Sequence, residues 1–382
     1  MRKIGCGILV LVLLLGMLPV GASAVELDVA GKSAVLIDAA TGTVLYEKNA
    51  HEKLAPASVT KVMTMLLIME AIDSGKIGWN DMVTASESAA AKGGSQIYLK
   101  AGENMSVTDM LKSIAVSSAN DCACAMAEHI AGSETAFVEL MNKRAKELGM
   151  NDTHFVNCTG LDDDPEAQNH LTSAYDIALM SRQLLTKHPD IKKFTTIWMD
   201  TVRGGTFGLS NTNKLVRFYR GCTGLKTGFT SSAGHCLSAS ACRDGLELIA
   251  VVLGAESSQS RFEACKQMLD YGFANYALVK PELTEENAVA VKLGAAKTVT
   301  AVPTQLPQLL IDKAQRGDVN IHIELEEQVS APVSQGQKLG TLTVRAGEQV
   351  LAQVNMVAKD AVPRLSWWQI FVQILQRITM AA

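Results

Sequence analysis

The order of strand-like and helix-like segments constrains the fold of this chain more than any other feature of its sequence. Two strands are predicted early, at Ser33–Asp38 and Thr43–Glu47, around a turn at Ala40–Gly42. Three more are predicted between Thr223 and Leu253, and the residues between the two groups favour helices. Because predicted strands precede and follow the helices along the chain, we expect an α+β (α/β) domain. Its antiparallel sheet would be assembled from both ends of the domain's sequence and flanked by helices.

The helices are predicted from their caps and stop residues. Ser106–Asp109 has the pattern of an N-terminal cap before an apolar segment. Further helices are expected at Glu134–Leu148, Ser173–Lys187 and Ser260–Asn275, and the first two end near a glycine or a proline. Residues Ser86–Gly102 are rich in Ala, Gly and Ser without a clear period, so we expect a loop there, close to a functional site.

Residues 1–24 have the pattern of a secretory signal. Two basic residues precede an apolar run from Ile8 to Val20, and the small residues Ala22-Ser23-Ala24 resemble a signal-peptidase cleavage site. We therefore expect an exported chain that begins near Val25. An uncleaved membrane anchor is the alternative, but the apolar run is short for a bilayer span.

Composition excludes some partners. The net charge is -4 and no block of Lys and Arg is present, so a nucleic-acid partner is not expected.

Of the eight cysteines, Cys6 lies within residues 1–24, which leaves seven and therefore at least one without an intramolecular partner. No Cys-x-x-Cys or His-x-x-x-His spacing occurs, so we expect no metal and no cofactor. The cysteines are most simply small core residues, although Cys222 and Cys242 would suit a bridge if they flank a hairpin.

The C-terminal part of the chain changes to short segments with the sequence pattern of β-strands. Runs such as Ala288–Val291, Val319–Leu325 and Leu339–Val344 alternate apolar with polar residues and are separated by Gly and Pro. We expect residues 281–361 to form a small β-rich domain. It carries no evident set of catalytic residues.

Residues 362–382 form an amphipathic segment. On a helix, its polar residues make a narrow stripe and its apolar residues a broad opposite face. The stripe consists of Ser366, Gln369, Gln373, Gln376 and Arg377, and the apolar face of Trp367, Trp368, Ile370, Phe371, Ile374, Leu375 and Ile378. We expect this helix to lie in a membrane interface, with docking on the protein's own core or on a partner as the alternative.

Ser58-Val59-Thr60-Lys61 is the first candidate for catalytic chemistry. It follows Pro56, which suits the start of a helix, and it precedes a long apolar segment. Residues three apart share a helix face, so the Lys61 amine can reach the Ser58 hydroxyl. A serine needs a base to become a nucleophile, and a lysine becomes a base when burial lowers its pKa. An isolated Ser-x-x-Lys match is usually a helix start with a solvated lysine, so the catalytic interpretation depends on the other motifs.

Two later motifs supply further polar groups. Ser118-Ala119-Asn120 follows an apolar helix and offers a hydroxyl for proton transfer and an amide for a substrate amide or the lysine, although alone it would be a helix cap. Lys226-Thr227-Gly228 ends a predicted strand. Lys226 offers positive charge, Thr227 can hydrogen-bond a carboxylate, and Gly228 lets a substrate backbone approach. The alternative is a strand end with a turn glycine.

Each motif occurs once, in this order, behind a signal sequence. On these residues the chain resembles the active-site serine penicillin-recognising enzymes, most closely the low-molecular-weight penicillin-binding proteins that are D-alanyl-D-alanine carboxypeptidases. Asn151–Phe155, Gly160–Asp162 and the Gly224-Leu225 that precedes Lys226 add to the similarity. The resemblance covers roughly Val25 to Asn275 by motif and implies the sheet of the serine β-lactamases and DD-peptidases, in a catalytic domain of residues 25–280.

The resemblance also implies roles for individual residues. Ser58 would attack the carbonyl between the terminal D-alanines of a peptidoglycan stem peptide, with Lys61 as base. Ser118 would relay a proton to the departing amine, and Asn120 would hold the peptide amide. A β-lactam would trap the acyl-enzyme, since its ring-opened product stays tethered.

The same resemblance assigns the binding residues. Lys226 and Thr227 would meet the terminal carboxylate, helped by Arg261, whose alternative is a surface position at a helix start. The oxyanion would lie between the backbone N–H groups of Ser58 and Phe229. Phe229 stands where some carboxypeptidases carry His, and because only its backbone takes part, the chemistry should persist.

Three competing functions share these motifs. A class A β-lactamase has the outer two motifs, but the β-rich addition, the amphipathic tail and Ala119, where several family members have Gly, argue against it. A D,D-endopeptidase would use the same residues, and sequence separates it poorly. A non-catalytic cell-wall-binding protein is disfavoured by the intact motifs. The expected location is the outer face of the cytoplasmic membrane.

Overall fold

The structure is a computed structural model that describes residues 27–372 except 164, 282, 284–286 and 307. The predicted signal sequence and residues 373–382 of the tail lie outside the described residues. The helices of the described part are α1 (Lys61–Asp73), α2 (Glu87–Ala90), α3 (Val107–Ser117), α4 (Asn120–Ala131), α5 (Glu134–Glu147), α6 (Ala174–Lys187), α7 (Lys192–Thr195), α8 (Leu215–Phe218) and α9 (Ser258–Asn275). Short 3₁₀ turns occur at Ala57–Thr60, Pro165–Asn169, Pro189–Ile191 and Lys313–Asp318.

The strands fall into two groups along the chain. Those of the N-terminal part are β1 (Ser33–Asp38), β2 (Val44–Lys48), β3 (Met82–Thr84), β4 (Asn104–Ser106), β5 (Met199–Val202), β6 (Phe207–Ser210), β7 (Cys222–Thr230), β8 (Gly234–Arg243) and β9 (Leu246–Ala255). Those of the C-terminal part are β10 (Tyr276–Val279), β11 (Ala288–Lys292), β12 (Thr298–Pro303), β13 (Leu309–Asp312), β14 (Val319–Leu325), β15 (Gln328–Ser330), β16 (Lys338–Ala346) and β17 (Gln349–Ala358).

A five-stranded antiparallel sheet in the order β2-β1-β9-β8-β7 forms the centre of the N-terminal part. The early strand β1 pairs with the late strand β9, so that Ser33 lies opposite Leu253 and Asp38 opposite Leu248. This pairing confirms the expected sheet assembled from both ends. Strand β7 lies at one edge, and its other neighbour is the turn Ala57–Thr60 that carries Ser58.

The two faces of the sheet bury two separate cores. Side chains alternate along a strand, so the fully buried neighbours Val251 and Val252 belong to different clusters. The face of Val251 packs against α1, α4 and α6, and the face of Val252 packs against α9. Burying each such side chain contributes roughly 1.5–3 kcal/mol. The helices on the first face therefore hold the segments that carry the first two motifs in fixed positions.

The C-terminal part is β-rich, as the sequence predicts. Its six-stranded sheet has the order β14-β16-β17-β12-β11-β15, and its core includes Leu339, Leu342 and Met356. Val362 is buried and pairs with Val333, and Arg364 pairs with Gly294, so this unit extends to residue 364. The pairing of β10 with β13 joins it to the end of α9.

The described part of the amphipathic tail begins a helix over residues 367–372. Its aromatic side chains face solvent, with Trp367 78% and Trp368 63% exposed. Within the described residues, every helix is too short or too polar to span a membrane.

Two local expectations need revision. The segment Ser86–Gly102 is mainly loop but contains the short helix α2, which Ser86 caps by accepting a hydrogen bond from the Ala89 N–H. Cys222 lies opposite Ala241 rather than Cys242, which places Cys242 on the other face of its strand. All seven cysteines of the described part are free thiols.

Candidate active site

Ser58 lies in a tight turn directly before helix α1. The turn Ala57–Thr60 is a 3₁₀ turn rather than the first turn of an α-helix, and Ala57 has a positive φ of 47°. The i to i+3 neighbour relation nevertheless holds: Lys61 Nζ donates a hydrogen bond to Ser58 Oγ at 2.8 Å. The first predicted pair is therefore in direct contact.

Lys61 has the surroundings that a lysine base requires. Its side chain is fully buried, and this burial lowers its pKa to about 7, because the ammonium form loses its hydration. The negative charge of Asp121 offsets only part of that effect. The amine also donates to the Thr159 carbonyl oxygen at 2.8 Å, so it is held between that carbonyl and Ser58.

The loop that presents Thr159 is fixed against the Ser58 turn. Asn157 Oδ1 accepts hydrogen bonds from the N–H groups of Thr159 and Gly160, at 3.1 and 2.7 Å. Gly160 has a φ of 80°, and a Cβ there would lie 1.9 Å from the Ala57 carbonyl oxygen. Only glycine permits this approach. Sequence reasoning missed Thr159, although the similarity at Gly160–Asp162 marked the neighbouring residues.

A buried histidine, also missed from the sequence, connects the same loop to the Ser58 turn. His170 Nδ1 accepts from the Val156 N–H at 3.0 Å, which leaves the proton on Nε2. Nε2 then donates to Thr60 Oγ1 at 2.8 Å, and Thr60 donates to the Ala57 carbonyl at 2.8 Å. Burial lowers the pKa of His170 to about 4, so the ring stays neutral. No motif pointed to it.

The second motif forms the junction between α3 and α4. Ser118 is buried and has a left-handed backbone with φ 65°, and α4 begins at Asn120. The Asn120 amide nitrogen donates to the Gly93 carbonyl at 2.8 Å. Its Oδ1 is buried and has no hydrogen-bond partner in the part of the chain that the structure describes. Ser118 is the C-terminal cap residue of α3, through its backbone, but neither side chain of the motif caps α4.

The third motif runs along the edge strand β7, beside the Ser58 turn. Lys226 is buried, and its Nζ donates to the Thr227 carbonyl at 2.8 Å. Burial, followed by the positive charges of Lys61 and Arg261, lowers the pKa of Lys226 well below its usual value. A Cβ on Gly228 would lie 3.0 Å from the Ser58 nitrogen. The charge effect on Lys226 and this close approach place the third motif next to the first.

Thr227 faces a polar group that the sequence did not reveal. Its Oγ1 donates to Thr212 Oγ1 at 2.7 Å. Thr212 lies between Asn211 and Asn213, two buried residues whose side-chain amides donate to backbone carbonyls, including that of Gly224. The segment is therefore a rigid wall beside β7.

The last two predicted residues occupy different environments. Arg261 is buried on α9, and its Nη1 donates to the carbonyls of Gly228 and Cys236, at 2.7 and 3.3 Å. It is therefore no surface residue, and it binds the backbone of β7 and β8. Phe229 is 57% exposed, and its ring stacks on His235 at 4.3 Å.

The geometry defines a class of enzyme. A hydroxyl attacks a carbonyl efficiently when its proton has an acceptor, and near pH 7 a substantial fraction of Lys61 is the free amine that accepts it. The charge of Asp121, next to Asn120, acts on Lys61, and the charge of Lys61 acts on Lys226, so the second and third motifs both lie near the Lys61 amine. This is the arrangement of a serine hydrolase that works through an acyl-enzyme.

Comparison with known proteins identifies the family within that class. The family described as D-alanyl-D-alanine carboxypeptidase matches residues 20–257, and the C-terminal domain family of penicillin-binding protein 5 matches residues 280–364. The chain is 46% identical over 342 residues to the D-alanyl-D-alanine carboxypeptidase DacF of Bacillus subtilis, covering 88% of this chain and 86% of that protein. The chain belongs to the D-alanyl-D-alanine carboxypeptidase family, which confirms the resemblance noted in the sequence.

Solved structures agree in fold. Penicillin-binding protein 5 from Haemophilus influenzae has a TM-score of 0.75 and 31% identity, covering 88% of this chain and 99% of that one. Penicillin-binding protein D2 from Listeria monocytogenes, in its ampicillin-bound form, has a TM-score of 0.57 and 31% identity, covering 65% of this chain and 99% of that one. The predicted antiparallel sheet with flanking helices and an added β-rich unit is thereby confirmed.

Proposed function

We propose that this chain is a serine-type D-alanyl-D-alanine carboxypeptidase that removes the terminal D-alanine from peptidoglycan stem pentapeptides. The observation that carries the proposal is the 2.8 Å contact between Lys61 Nζ and Ser58 Oγ, made by an amine whose pKa is lowered to about 7. Family membership and the name of the Bacillus subtilis relative support the choice of substrate.

Acylation begins with the neutral Lys61 amine. It takes the Ser58 proton while Oγ attacks the carbonyl between the two terminal D-alanines. The oxyanion forms between the backbone N–H groups of Ser58 and Phe229. The close approach of Gly228 to the Ser58 nitrogen supports this site, since it brings the backbones of β7 and the turn together.

Ser118 and Asn120 complete the acylation step. Ser118 passes a proton to the D-alanine amine as the peptide bond breaks, and its positive φ at an ordered junction is the kind of strain that functional residues retain. Asn120 holds the substrate amide through Oδ1, the acceptor that lacks a partner within the described residues. Water then attacks the ester with Lys61 as base, which releases the shortened peptide and restores Ser58.

The third motif binds the terminal carboxylate. Lys226 supplies positive charge. The hydroxyl of Thr227, which donates to Thr212 Oγ1 in the free enzyme, turns to donate its proton to the carboxylate when the substrate binds. Because the Arg261 guanidinium is committed to the Gly228 carbonyl, we assign it to support β7 and to contribute charge from behind the strand. Direct contact of Arg261 with the carboxylate is not part of the proposal.

A penicillin enters the same reaction. Ser58 opens the β-lactam ring, and because the cleaved amine remains tethered to the acyl group, it blocks the water that would hydrolyse the ester. The ampicillin-bound structure of the Listeria monocytogenes protein supports β-lactam binding by this fold.

We assign the function to the outer face of the cytoplasmic membrane, where peptidoglycan lies. Residues 1–24 would direct export and residues 25–280 would catalyse. Residues 281–364 would form the β-rich unit, since Val362 and Arg364 pair with it, and residues 366–382 would contact the membrane surface. The exposed Trp367 and Trp368 support the last assignment.

The direct test is incubation of the purified protein with a pentapeptide that ends in D-Ala-D-Ala, followed by mass analysis. We expect loss of one D-alanine and covalent labelling by a fluorescent penicillin, and we expect Ser58→Ala to abolish both while its circular dichroism spectrum stays unchanged. Release of D-alanine by Ser58→Ala at the wild-type rate would overturn the proposal. Cleavage of a crosslinked dimer but not of the pentapeptide would favour the endopeptidase, and rapid turnover of penicillin would favour the β-lactamase.

A further inference from the structure

Two thiols and a carboxylate meet behind the loop that holds Lys61. Cys124, on α4, and Cys158, in the loop before Thr159, are fully buried free thiols. The Cys158 thiol donates to Glu134 Oε1 at 3.2 Å, and the Cys124 thiol donates to Glu134 Oε2 at 3.7 Å. The two thiols thus lie on the two oxygens of one carboxylate, and Cys124 is also 3.7 Å from Glu128 Oε1. Three segments of the chain therefore converge on one sulfur pair.

The pair joins two halves of the site. Cys124 follows Asn120 by one helical turn, and Cys158 directly precedes Thr159. The Thr159 carbonyl is the 2.8 Å acceptor of Lys61. The backbone N–H and the thiol of Cys158 both donate to Glu134 Oε1, so loss of the thiol proton also alters the contact that holds the Cys158 backbone. A covalent change at Cys158 must therefore act on the carbonyl that holds the base.

A route for a small reagent lies beside the pair. A cavity of about 330 Å³ is lined by Glu134, Lys92, Asn157 and Thr159. Glu134 forms an ion pair with Lys92 and separates this cavity from the two sulfurs. Rotation of the Glu134 side chain would expose them. The neighbouring thiol and burial hold the pKa of Cys158 well above its usual value, so exchange at neutral pH is expected to be slow.

We propose that Cys124 and Cys158 are a disulfide-forming pair, that a small dialkyl disulfide oxidises them, and that the bond slows acylation of Ser58. One thiol, as its thiolate, attacks the reagent and releases one reagent thiol, leaving a mixed disulfide. The second thiolate displaces the other reagent thiol and closes the Cys124–Cys158 bond. The protein loses two electrons and two protons, and the reagent gains them as two thiols.

The effect on catalysis follows from distances. The sulfurs of a disulfide are about 2 Å apart, closer than two thiols can approach. Helix α4 is packed on its neighbours, so the loop that carries Cys158 takes up the movement. A shift of about 1 Å in the Thr159 carbonyl is enough to misplace Lys61 and to cost up to ~100-fold in rate. This consequence rests on the proposed function, whereas the linkage itself does not.

The experiment treats the full-length protein with bis(2-hydroxyethyl) disulfide, blocks remaining thiols, and maps disulfide-linked tryptic peptides by mass spectrometry. Acylation by a fluorescent penicillin is timed before and after treatment, and again after dithiothreitol. We expect a Cys124–Cys158 linkage, acylation slowed by tenfold or more, and full recovery on reduction. Cys124→Ser should lose both the linkage and the sensitivity. Cys122→Ser, on the same helix and the same tryptic peptide, should retain both.

Several outcomes would overturn the proposal. One is a treated wild-type protein in which other cysteines carry mixed disulfides but no Cys124–Cys158 peptide is found. Another is a protein with the Cys124–Cys158 linkage that acylates as fast as the untreated dithiol protein. A third is a Cys124→Ser variant whose acylation is slowed by the treatment as much as that of the wild type. Cys124→Ala provides a second variant if the serine form does not fold. A reduced wild-type protein that never acylates would instead contradict the proposed function, and the peptide map would still report the linkage.

Discussion

Two lysines are fully buried within one site, and their surroundings give them different chemistry. Lys61 contacts a hydroxyl and a single carbonyl, and its pKa of about 7 lets the free amine accept a proton. Lys226 donates to the Thr227 carbonyl, and burial together with the positive charges of Lys61 and Arg261 lowers its pKa. A bound anion would stabilise its charged form. A substrate carboxylate is such an anion. The residue type alone therefore does not define the role.

The pH dependence of acylation tests Lys61. Because its pKa is lowered, the free amine predominates above about pH 7, so acylation should rise with pH through that value and then level off. Lys61→Arg should acylate slower by on the order of 10³, since a guanidinium stays protonated. The measurement is penicillin labelling from two pH units below to two above the Lys61 pKa. Lys192→Arg, at an ion pair with Glu247, is the control and should behave as wild type. A flat wild-type profile would contradict the assignment.

His170 provides a second test at the residue scale. His170→Phe removes the donor to Thr60 and the acceptor of the Val156 N–H, so the Ser58 turn should loosen. We expect acylation slowed about tenfold and roughly 2 kcal/mol less unfolding free energy. His188→Phe, which removes a buried partner of Asp73, should lower stability while leaving acylation intact. The assignment fails if both variants acylate at the same rate.

At the scale of elements, the site depends on how closely three segments approach one another. Strand β7 and the loop 157–160 both approach the backbone of the Ser58 turn closely, because Gly228 and Gly160 lie at the contacts. Strand β7 is an edge strand, and the side chains of Asn213, Lys226 and Arg261 donate to its carbonyl groups at Gly224, Thr227 and Gly228.

Gly160→Ala tests this packing. Its Cβ would lie 1.9 Å from the Ala57 carbonyl oxygen, so the loop or the turn must move. We expect acylation reduced ~100-fold and a stability loss above about 4 kcal/mol. The matched control is Gly245→Ala, because Gly245 has a similar φ of 81° but open space around it. That variant should lose only about 1–2 kcal/mol, measured by urea unfolding, and acylate normally. Equal acylation by the two variants would refute the crowding argument.

At the scale of the whole molecule, the catalytic part and the tail are separated by the β-rich unit. Because Val362 and Arg364 still pair with that unit, a clean removal of the tail begins after Leu365. The aromatic residues beyond this point are exposed, which suits a surface that inserts among lipid headgroups.

Vesicle binding tests the tail. The full chain should sediment with vesicles of phosphatidylethanolamine and phosphatidylglycerol, and the chain ending at Leu365 should stay in solution while releasing D-alanine from a soluble pentapeptide at an unchanged rate. Replacing Trp367, Trp368 and Phe371 by serine should have the same effect as truncation. Phe218→Ser, at an exposed aromatic of the catalytic part, is the control and should still sediment. Undiminished sedimentation of the truncated chain would refute membrane contact through the tail.

The sequence by itself determined most of the longer elements and their order, but not helix α4 or the short strands β3 to β6. Strand β1 was predicted at its observed bounds, and α6 and β9 to within two residues, because periodicity, caps and turn residues act over a few positions. The three motifs were predicted as one site only through the family resemblance. Short patterns carry no information about which distant segments meet.

Tertiary structure alone decided the groups that make the site work. Burial removes the hydration of Lys61 and so lowers its pKa, and its second partner, Thr159, is 98 residues away. His170 lies 110 residues from the hydroxyl it positions. Arg261 turned out to bind the backbone of β7 rather than to lie free. Desolvation and long-range hydrogen bonds arise only when the chain is packed, so no local pattern of residues could have specified them.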